Sequence, residues 1–381
     1  MRIGIFGGSF DPVHLEHLHL AQAAISSLVL DKLFVVPAHT PPHKKGKTLT
    51  SDKARLKMCR LAFSLLDKAE VSDYEIEKGG VSYTFETCER FKSLYPNAEL
   101  FWLVGTDMLR NFPSWREPNR ILASATLAVC ARAEKSEWLK TEKEKFFRLF
   151  GKEFAVIDYE GKDVSSTMIR VKAAAGEDVS DLVGETVATY IRQNGLYEIA
   201  GVKEALSLEK PTRKAHSLRV AEMAAKRAPS LGIDERTAIT AALFHDCAKN
   251  LPENSPHLIG YTPVQGVPAP VVHQFTGAYV AEKSFNIKDE DVLNAIRYHT
   301  SGREGMSALE KLIFLADMLE EERKFEGVEE LRALFWDKSD DLTIAITAAL
   351  KHSLTYLKEN GAPMYALTEQ AAAYYAKNQK K

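Results

Sequence analysis

Histidines are the residues of this 381-residue chain whose chemistry is most versatile, and they fall into two groups. Of the eleven, five lie at or before position 43 and five between positions 216 and 299, whereas none lies between 44 and 215. An imidazole can donate a hydrogen bond, move a proton or bind a metal ion near neutral pH. Two separated groups therefore predict two chemical centres.

The first group begins in residues 1–21, which read MRIGIFGGSFDPVHLEHLHLA. This stretch predicts a short apolar strand, a glycine turn and a helix with Asp11 as its N-cap and Pro12 in its first turn. Two histidines three residues apart share a face of that helix. A helix N-terminus after a glycine turn binds anions, and imidazoles beside it can donate hydrogen bonds to phosphate. We predict a nucleotide-phosphate site formed by Gly7, Gly8, Ser9, Phe10, His14 and His17.

The second group belongs to a polar series that interrupts an apolar helical pattern. One histidine on a helix is usually a core or surface residue, and the dipeptide His-Asp is common, so only the ordered series carries a prediction. Helical bundles build metal sites from ligands on successive helices, and a carboxylate can bridge two metals. Imidazole and carboxylate ligands suit Fe, Mn, Co or Zn. We predict a metal site formed by His216, His245, Asp246, His273, His299 and Asp317.

Two kinds of secondary structure must position these centres. Through residue 199, buried strands alternate with helices, which is typical of an α/β doubly wound parallel sheet. We expect a serine-capped helix at SDKARLKMCRLAFSLL and another helix beginning near residues 82–84. From residue 200 the apolar residues follow helical spacing only, which predicts an all-α helical bundle. The predicted domains are 1–199 and 200–381.

The composition argues against several other classes of protein. The net charge is −2, and neither a basic stripe nor interleaved aromatic residues indicates a nucleic-acid surface. No apolar run approaches 18 residues, so we expect no membrane span and no signal peptide. Four scattered cysteines predict reduced thiols and a cytoplasmic location. The sequence leaves homo-oligomerisation open.

The segment GGSFDPVHLEH resembles the signature of the nucleotidyltransferase superfamily, written (H/T)-x-G-H, and in particular its nicotinate-nucleotide adenylyltransferase branch. Further segments resemble that family in the same order, ending with YIRQNGLY: they are PPHK, SYTFET, LVGTDML, FPSWREPNRI and VSSTMIR. The resemblance implies that Thr84 meets the nicotinate, that Gly105 and Asp107 lie near the ribose and base, and that Trp115 stacks on the pyridine ring. It also implies triphosphate contacts from Ser166, Thr167 and Arg170.

This resemblance implies adenylyl transfer from ATP. The 5′-phosphate of nicotinate mononucleotide attacks the α-phosphorus of ATP in line, and pyrophosphate leaves. Catalysis of this kind is mostly positioning and charge stabilisation. The expected donors are His14, His17, Lys44 and Arg170, with Mg²⁺ on the leaving phosphates.

One position departs from the adenylyltransferase pattern. The family has a glycine between the two histidines, where it lets the adenine lie close to the helix, and this chain has Glu16. The resemblance therefore predicts the role of both histidines but does not predict the shape of the adenine pocket.

The second half resembles the HD phosphohydrolase superfamily. The segments RKAHSLRVAEMA, ALFHDCAKNLP and VVHQFTGAYVAEKSF, with the run from AIRYHTSGREGM to EELR, are similar to bacterial HD proteins that split diadenosine tetraphosphate into two ADP. The resemblance implies two metals, usually iron, on the six residues of the series. It further implies phosphate contacts from Arg213, Lys249 and Arg303, with Asp246 and Lys249 in catalytic roles. Glu321 stands where that family commonly has proline, beside Asp317 and Arg323.

The two resemblances together predict a bifunctional enzyme, with ATP, nicotinate mononucleotide and diadenosine tetraphosphate as substrates. Adenylyl transfer to ATP-like acceptors can make dinucleoside polyphosphates. We therefore hypothesise that the second domain removes these by-products of the first. An alternative is that Glu16 makes the first domain a nucleotide-sensing module with little turnover. Other nucleotides, or a di-iron oxygenase reaction, stay open as alternatives for the second domain.

Overall fold

The computed structural model describes residues 1–42, 49–131 and 136–378. The chain divides into two compact units. Within the described residues, the first unit contains 1–42, 49–131, 136–169 and 178–196, and the second contains 170–177 and 197–378. The predicted boundary between residues 199 and 200 stays a prediction.

A six-stranded parallel sheet forms the centre of the first unit, in the order β3-β2-β1-β4-β5-β6. Its interior strands are continuous apolar runs because both faces are covered, as parallel sheets require. This architecture confirms the predicted doubly wound fold. The strands are β1 Arg2–Gly8, β2 Lys32–Pro37, β3 Ala69–Val71, β4 Glu99–Gly105, β5 Thr126–Ala131 and β6 Ala155–Asp158.

Helices connect the strands and complete the first unit. They are α1 Leu15–Ser27, α2 Asp52–Phe63, α3 Tyr74–Lys78, α4 Thr84–Leu94, α5 Thr106–Asn111, α6 Pro118–Ser124, α7 Ser136–Phe150, α8 Ser166–Ala174, α9 Ser180–Val183 and α10 Glu185–Gln193. The division between the units falls within α8, after residue 169.

The predicted start of the first helix was wrong. Helix α1 begins at Leu15, and its N-cap is His14, whose backbone is extended (φ −142°, ψ 170°). The Asp11 carboxylate does not cap the helix but accepts a hydrogen bond from the Thr50 N–H at 3.1 Å, a contact between distant loops that sequence does not reveal. By contrast, the serine cap of α2 is confirmed, since the Ser51 hydroxyl accepts from the Ala54 N–H.

In the described residues of the second unit the regular elements are helices, which confirms the predicted all-α fold. Many of its buried positions are alanines, which let the helices pack closely around one core. The helices are α11 Val202–Ser207, α12 Pro211–Arg227, α13 Glu235–Phe244, α14 Val272–Lys283, α15 Glu290–Arg297, α16 Ala308–Leu319, α17 Val328–Trp336, α18 Thr343–Glu359 and α19 Ala366–Asn378. No helix among the described residues has both the length and the apolar character needed to cross a membrane.

All four cysteines are buried free thiols, as predicted. Burial raises the pKa of Cys130 to about 12 and raises the pKa of the other three thiols as well. These thiols are therefore unreactive core residues near neutral pH.

A fully buried arginine ties together the loops that follow β1 and β2. Arg55 on α2 donates to the Ser9 carbonyl oxygen at 2.7 Å and the Thr50 carbonyl oxygen at 3.0 Å, and it pairs with Asp52. Asp52 in turn pairs with His39 in the loop after β2. One guanidinium therefore holds the backbone around the glycine turn.

We expect Arg55→Ala to lower the free energy of unfolding of the first unit by about 3–5 kcal/mol, because it leaves two carbonyl groups and a carboxylate without their partner. The measurement is chemical denaturation followed by tryptophan fluorescence. Lys57→Ala, an exposed change on the same helix, is the control and should stay within about 0.5 kcal/mol of the parent chain. An equal loss in both variants would contradict the role given to Arg55.

Candidate active sites

A cavity of about 570 Å³ opens in the first unit at the carboxyl ends of β1 and β4. These strands are neighbours at the point where the strand order reverses, and open parallel sheets bind ligands at such a point. Nine of the predicted site residues line the cavity, namely Gly7, Gly8, Ser9, Phe10, His17, Thr84, Gly105, Trp115 and Ser166.

The two histidines of the first centre are in direct contact. Their ring centroids lie 3.7 Å apart, and the backbone N–H of His14 donates to Nδ1 of His17 at 3.1 Å. Because Nδ1 accepts this bond, the neutral ring of His17 carries its proton on Nε2. Burial lowers the pKa of His14 from 6.5 to about 4, although Glu16 opposes the change. His14 is therefore neutral at pH 7, and His17 lines the cavity.

The glycine turn is held in an unusual shape by its neighbours. Phe10 has a left-handed backbone (φ 47°), which costs about 1–3 kcal/mol in a residue of this kind. Its buried ring packs edge-on against Phe6 and His17, with centroids 5.3 and 5.0 Å away. At Gly7 a Cβ atom would lie 2.6 Å from the indole of Trp102, so only glycine allows this approach. Such local strain is typical of functional sites.

Sequence reasoning missed three residues that also line the cavity: Glu75, Trp102 and Arg116. Trp102 belongs to an apolar strand and resembles any core residue. The guanidinium of Arg116 lies 4.5 Å from the ring centroid of Tyr83. Glu75 is buried and accepts from the Thr87 hydroxyl at 2.5 Å. Burial raises the pKa of Glu75, although the hydroxyls of Thr87 and Ser82 oppose the change.

Other predicted residues of the first centre lie elsewhere. The Asp107 side chain is 87% exposed, and neither Asp107 nor Thr167 is among the described residues that line the cavity. Arg170 belongs to the second unit, where its Nε donates to the Glu235 carboxylate at 2.7 Å. Lys44 lies outside the described residues. The roles predicted for these four residues stay predictions.

The glutamate that replaces the family glycine is directed toward the segment after β6. The buried Glu16 carboxylate accepts from the Tyr159 hydroxyl and from the Lys162 N–H at 2.7 Å, and it lies 3.1 Å from Nδ1 of His19. Burial disfavours its charge, but these hydrogen bonds hold the pKa of Glu16 below its ordinary value. Glu16 is not among the described residues that line the cavity.

The six ligands predicted for the second centre converge in the core of the helical unit. Asp246 Oδ1 lies 3.3 Å from Nε2 of His273 and 3.5 Å from Nε2 of His299, and its Oδ2 lies 3.5 Å from Nε2 of His245. On the other side, Oδ1 of Asp317 lies 2.8 Å from Nε2 of His216 and 3.9 Å from Nε2 of His245. Helix α13 ends at Phe244, so His245 and Asp246 lie just after it and not within one helix as expected.

Backbone carbonyls orient two of the imidazoles. Nδ1 of His245 donates to the Ala242 carbonyl oxygen at 2.6 Å, and Nδ1 of His299 donates to the Ile296 carbonyl oxygen at 2.8 Å. Each ring therefore turns an unprotonated Nε2 toward the centre, which is the arrangement metal ligands need.

Burial also sets the charge of the ligands. It lowers the pKa of His245 to about 4 and that of His273 to about 3, although Asp246 opposes both changes. Burial alone would raise the pKa of Asp246, but His245, His299 and Lys249 hold that pKa far below its ordinary value. Neutral imidazoles and an ionised carboxylate are the protonation states that bind metals.

Two buried ligand atoms without hydrogen-bond partners also fit a metal-ion centre. Nε2 of His245 and Oδ1 of Asp246 are buried without a hydrogen-bond partner, and buried polar atoms are rarely left so. The possible ligand groups are His216 with His245 and Asp317, and His245 with Asp246 and His299. The two groups overlap at His245.

Three of the basic residues near this centre contact its carboxylates, whereas Arg303 does not. Arg213 Nη1 lies 2.9 Å and Lys249 Nζ lies 3.3 Å from the Asp246 carboxylate. Arg323, which the sequence placed only next to Asp317, donates to its Oδ1 at 2.8 Å. Arg303 pairs instead with the buried Glu310, and Glu321 is exposed.

Two further residues contact the ligands and were missed by sequence reasoning. The Thr300 hydroxyl lies 3.1 Å from Nε2 of His273, and the Glu320 carboxylate lies 3.1 Å from Nδ1 of His216. Glu320 follows Asp317 by three residues, a spacing that would have placed it on the same helical face.

Comparisons with known proteins match each unit separately and the chain as a whole. Family models match residues 5–172 as cytidylyltransferase-like and residues 213–322 as an HD domain. A probable nicotinate-nucleotide adenylyltransferase of Clostridium tetani is 39% identical over 194 residues, which cover 51% of this chain and 97% of that protein.

A longer relative covers both units. A probable nicotinate-nucleotide adenylyltransferase/Ap4A hydrolase of Mycoplasma genitalium is 30% identical over 367 residues, covering 94% of this chain and 99% of that protein. Among solved structures, a predicted HD superfamily hydrolase involved in NAD metabolism from Clostridium acetobutylicum is 33% identical. The match covers 46% of this chain and 96% of that protein, with a TM-score of 0.43.

We expect Glu16→Ala to lower the free energy of unfolding of the first unit by about 1–3 kcal/mol, because the Lys162 N–H and Tyr159 hydroxyl lose a charged acceptor. Chemical denaturation measures the change. Gln22→Ala, exposed on the same helix, is the matched control and should change stability by less than about 0.5 kcal/mol. A more stable Glu16→Ala variant would mean that the carboxylate is strained in its present position.

We expect Mn²⁺ to raise the unfolding temperature of chelator-treated protein, because binding at 100 times the dissociation constant stabilises the folded state by about 2.7 kcal/mol. Asp246→Asn should remove most of this shift, whereas His257→Ala, outside the ligand set, should keep it. Calorimetry with and without Mn²⁺ measures both. Equal shifts in the two variants would place the metal elsewhere.

Proposed function

The chain belongs to the family of two-domain proteins described as nicotinate-nucleotide adenylyltransferase/Ap4A hydrolase, and on this basis we propose that it is a bifunctional enzyme. Its first unit transfers the adenylyl group of ATP to nicotinate mononucleotide, giving deamido-NAD and pyrophosphate. Its second unit hydrolyses diadenosine tetraphosphate to two ADP. The observation that carries the proposal is a match over 94% of the chain that includes both units.

The adenylyl transfer fits the first cavity because the attacking phosphate is already an anion and needs no base. Nε2–H of His17 and the N-terminal N–H groups of α1 are donors for charge that develops on the phosphate chain. His14 contacts His17 through its backbone and ring, so it fixes the ring orientation. Mg²⁺, when bound, neutralises the leaving pyrophosphate.

The remaining cavity residues serve the other substrate in this proposal. Thr84, Tyr83 and Trp115 line the cavity and offer a backbone and two aromatic faces to a pyridine ring. Asp107, Thr167, Arg170 and Lys44 are kept as proposed contacts of the ribose and triphosphate. Asp107 and Thr167 would have to move toward the cavity when substrate binds, because neither lines it.

The hydrolysis is assigned to the histidine-aspartate centre. His216, His245, Asp246, His273, His299 and Asp317 would hold two metals, iron being our proposal. Metals there supply Lewis acidity and an activated water. Arg213, Lys249 and Arg323 lie beside the carboxylates and can bind the phosphate chain once metals neutralise Asp246 and Asp317. Arg303 is kept as a proposed phosphate contact although it pairs with Glu310.

A nucleotide-sensing first unit is the second candidate, and it depended on Glu16 obstructing the site. The carboxylate instead bonds to residues 159–162 and does not line the cavity, which favours a working adenylyltransferase. The predicted cytoplasmic location and the removal of by-products of the first unit by the second stay predictions.

We expect the intact chain to form deamido-NAD from Mg-ATP and nicotinate mononucleotide, and ADP from diadenosine tetraphosphate, each measured by product chromatography. His17→Ala should lower transfer roughly 10²–10³-fold, the usual effect of losing one transition-state donor, and leave hydrolysis unchanged. Asp246→Asn should lower hydrolysis and leave transfer unchanged.

Selective loss in each variant separates the two sites. If either change abolished both activities, the variant would be misfolded or the assignment wrong, and circular dichroism would distinguish these. Hydrolysis without any transfer would support the sensing candidate.

A further inference from the structure

The imidazoles of the second centre are not all held in the same way. His245 and His299 each donate Nδ1–H to a backbone carbonyl three residues earlier, within their own turn. The Nδ1 of His216 lies instead 3.1 Å from the carboxylate of Glu320, more than a hundred residues away in sequence. Of these three ligands, His216 is the one whose Nδ1 meets a carboxylate of another element.

The carboxylate that holds His216 is itself firmly placed. Glu320 is 3% exposed, and its Oε2 accepts from Nε of Arg219 at 2.6 Å and from the Glu322 N–H at 2.9 Å. Arg219 is on α12, one turn after His216, so α12 supplies both the imidazole and the cation that meet the two oxygens of Glu320. The contact joins α12 to the end of α16, next to Asp317.

We propose that Glu320 is a positioning residue that orients His216 toward a metal and makes its Nε2 a stronger donor. A carboxylate that accepts Nδ1–H fixes the tautomer and raises the basicity of the opposite nitrogen. Arg219 keeps Glu320 in place and ionised. This inference rests on the proposed metal centre and goes beyond it, since Glu320 is not one of the six proposed ligands.

The physical argument predicts which quantity changes. Removing a carboxylate partner of a ligating histidine typically weakens metal binding about 10–100-fold. Without Glu320 the ring of His216 can turn, and its neutral form can place the proton on Nε2, where it blocks coordination. The loss should therefore appear in metal affinity first and in turnover at saturating metal to a smaller degree.

The test measures the affinity of the full-length chain for Mn²⁺ by competition with a chelator. Glu320→Gln keeps a hydrogen-bond acceptor but removes the charge, and Glu320→Ala removes both. We expect affinity to fall about 10–100-fold in Glu320→Ala and less in Glu320→Gln. Glu321→Gln, an exposed neighbour, is the matched control and should retain the affinity of the parent chain.

Arg219→Gln is a second variant in case loss of Glu320 prevents folding, and it should weaken Mn²⁺ binding in the same direction. Diadenosine tetraphosphate hydrolysis at saturating Mn²⁺ should recover in all these variants to within about tenfold of the parent. Unchanged affinity in Glu320→Ala and Arg219→Gln would overturn the inference while leaving the metal centre intact. A parent chain that binds no Mn²⁺ and hydrolyses nothing would overturn both.

Discussion

The second unit depends on a buried negative charge. Asp246 is inaccessible to solvent, and it lies within 3.5 Å of three imidazoles and two cationic side chains. An isolated carboxylate in such a place would be prohibitively unstable, so its surroundings have to compensate it. That requirement accounts for the convergence of α12, α14 and the turns after α13 and α15 on Asp246.

Neutral imidazoles are the feature that the two centres share. Burial lowers the pKa of His14 and His245 to about 4, so neither ring is a cation at pH 7. The two centres use the imidazoles differently because the groups that contact Nδ1 of each ring differ. At the first centre, the ring of His17 accepts a backbone N–H at Nδ1, which places the proton of the neutral ring on Nε2. At the second centre the rings donate Nδ1–H to carbonyls or a carboxylate, which leaves lone pairs for a metal.

The position that departs from the family pattern shows how a local substitution is accommodated. In sequence, Glu16 replaces a glycine beside two site histidines, and size alone suggests obstruction. In the structure, the carboxylate is directed to residues 159–162, where the Tyr159 hydroxyl and the Lys162 N–H donate to it. The partners follow Glu16 by more than a hundred residues, so no local pattern could have revealed them.

The sequence by itself determined the two fold classes and the six polar residues that converge in the helical unit, and it predicted an anion-binding turn. Period and spacing are local properties, and strand-helix alternation or a polar residue that interrupts an apolar helical pattern can be read directly from them. The tertiary structure alone decided that α1 begins at Leu15, that Arg303 and Arg170 pair with glutamates, and that Glu320 contacts His216. Each of these depends on which side chains meet across distant segments. Hydrogen bonding and charge compensation there are set by packing and not by neighbours in the chain.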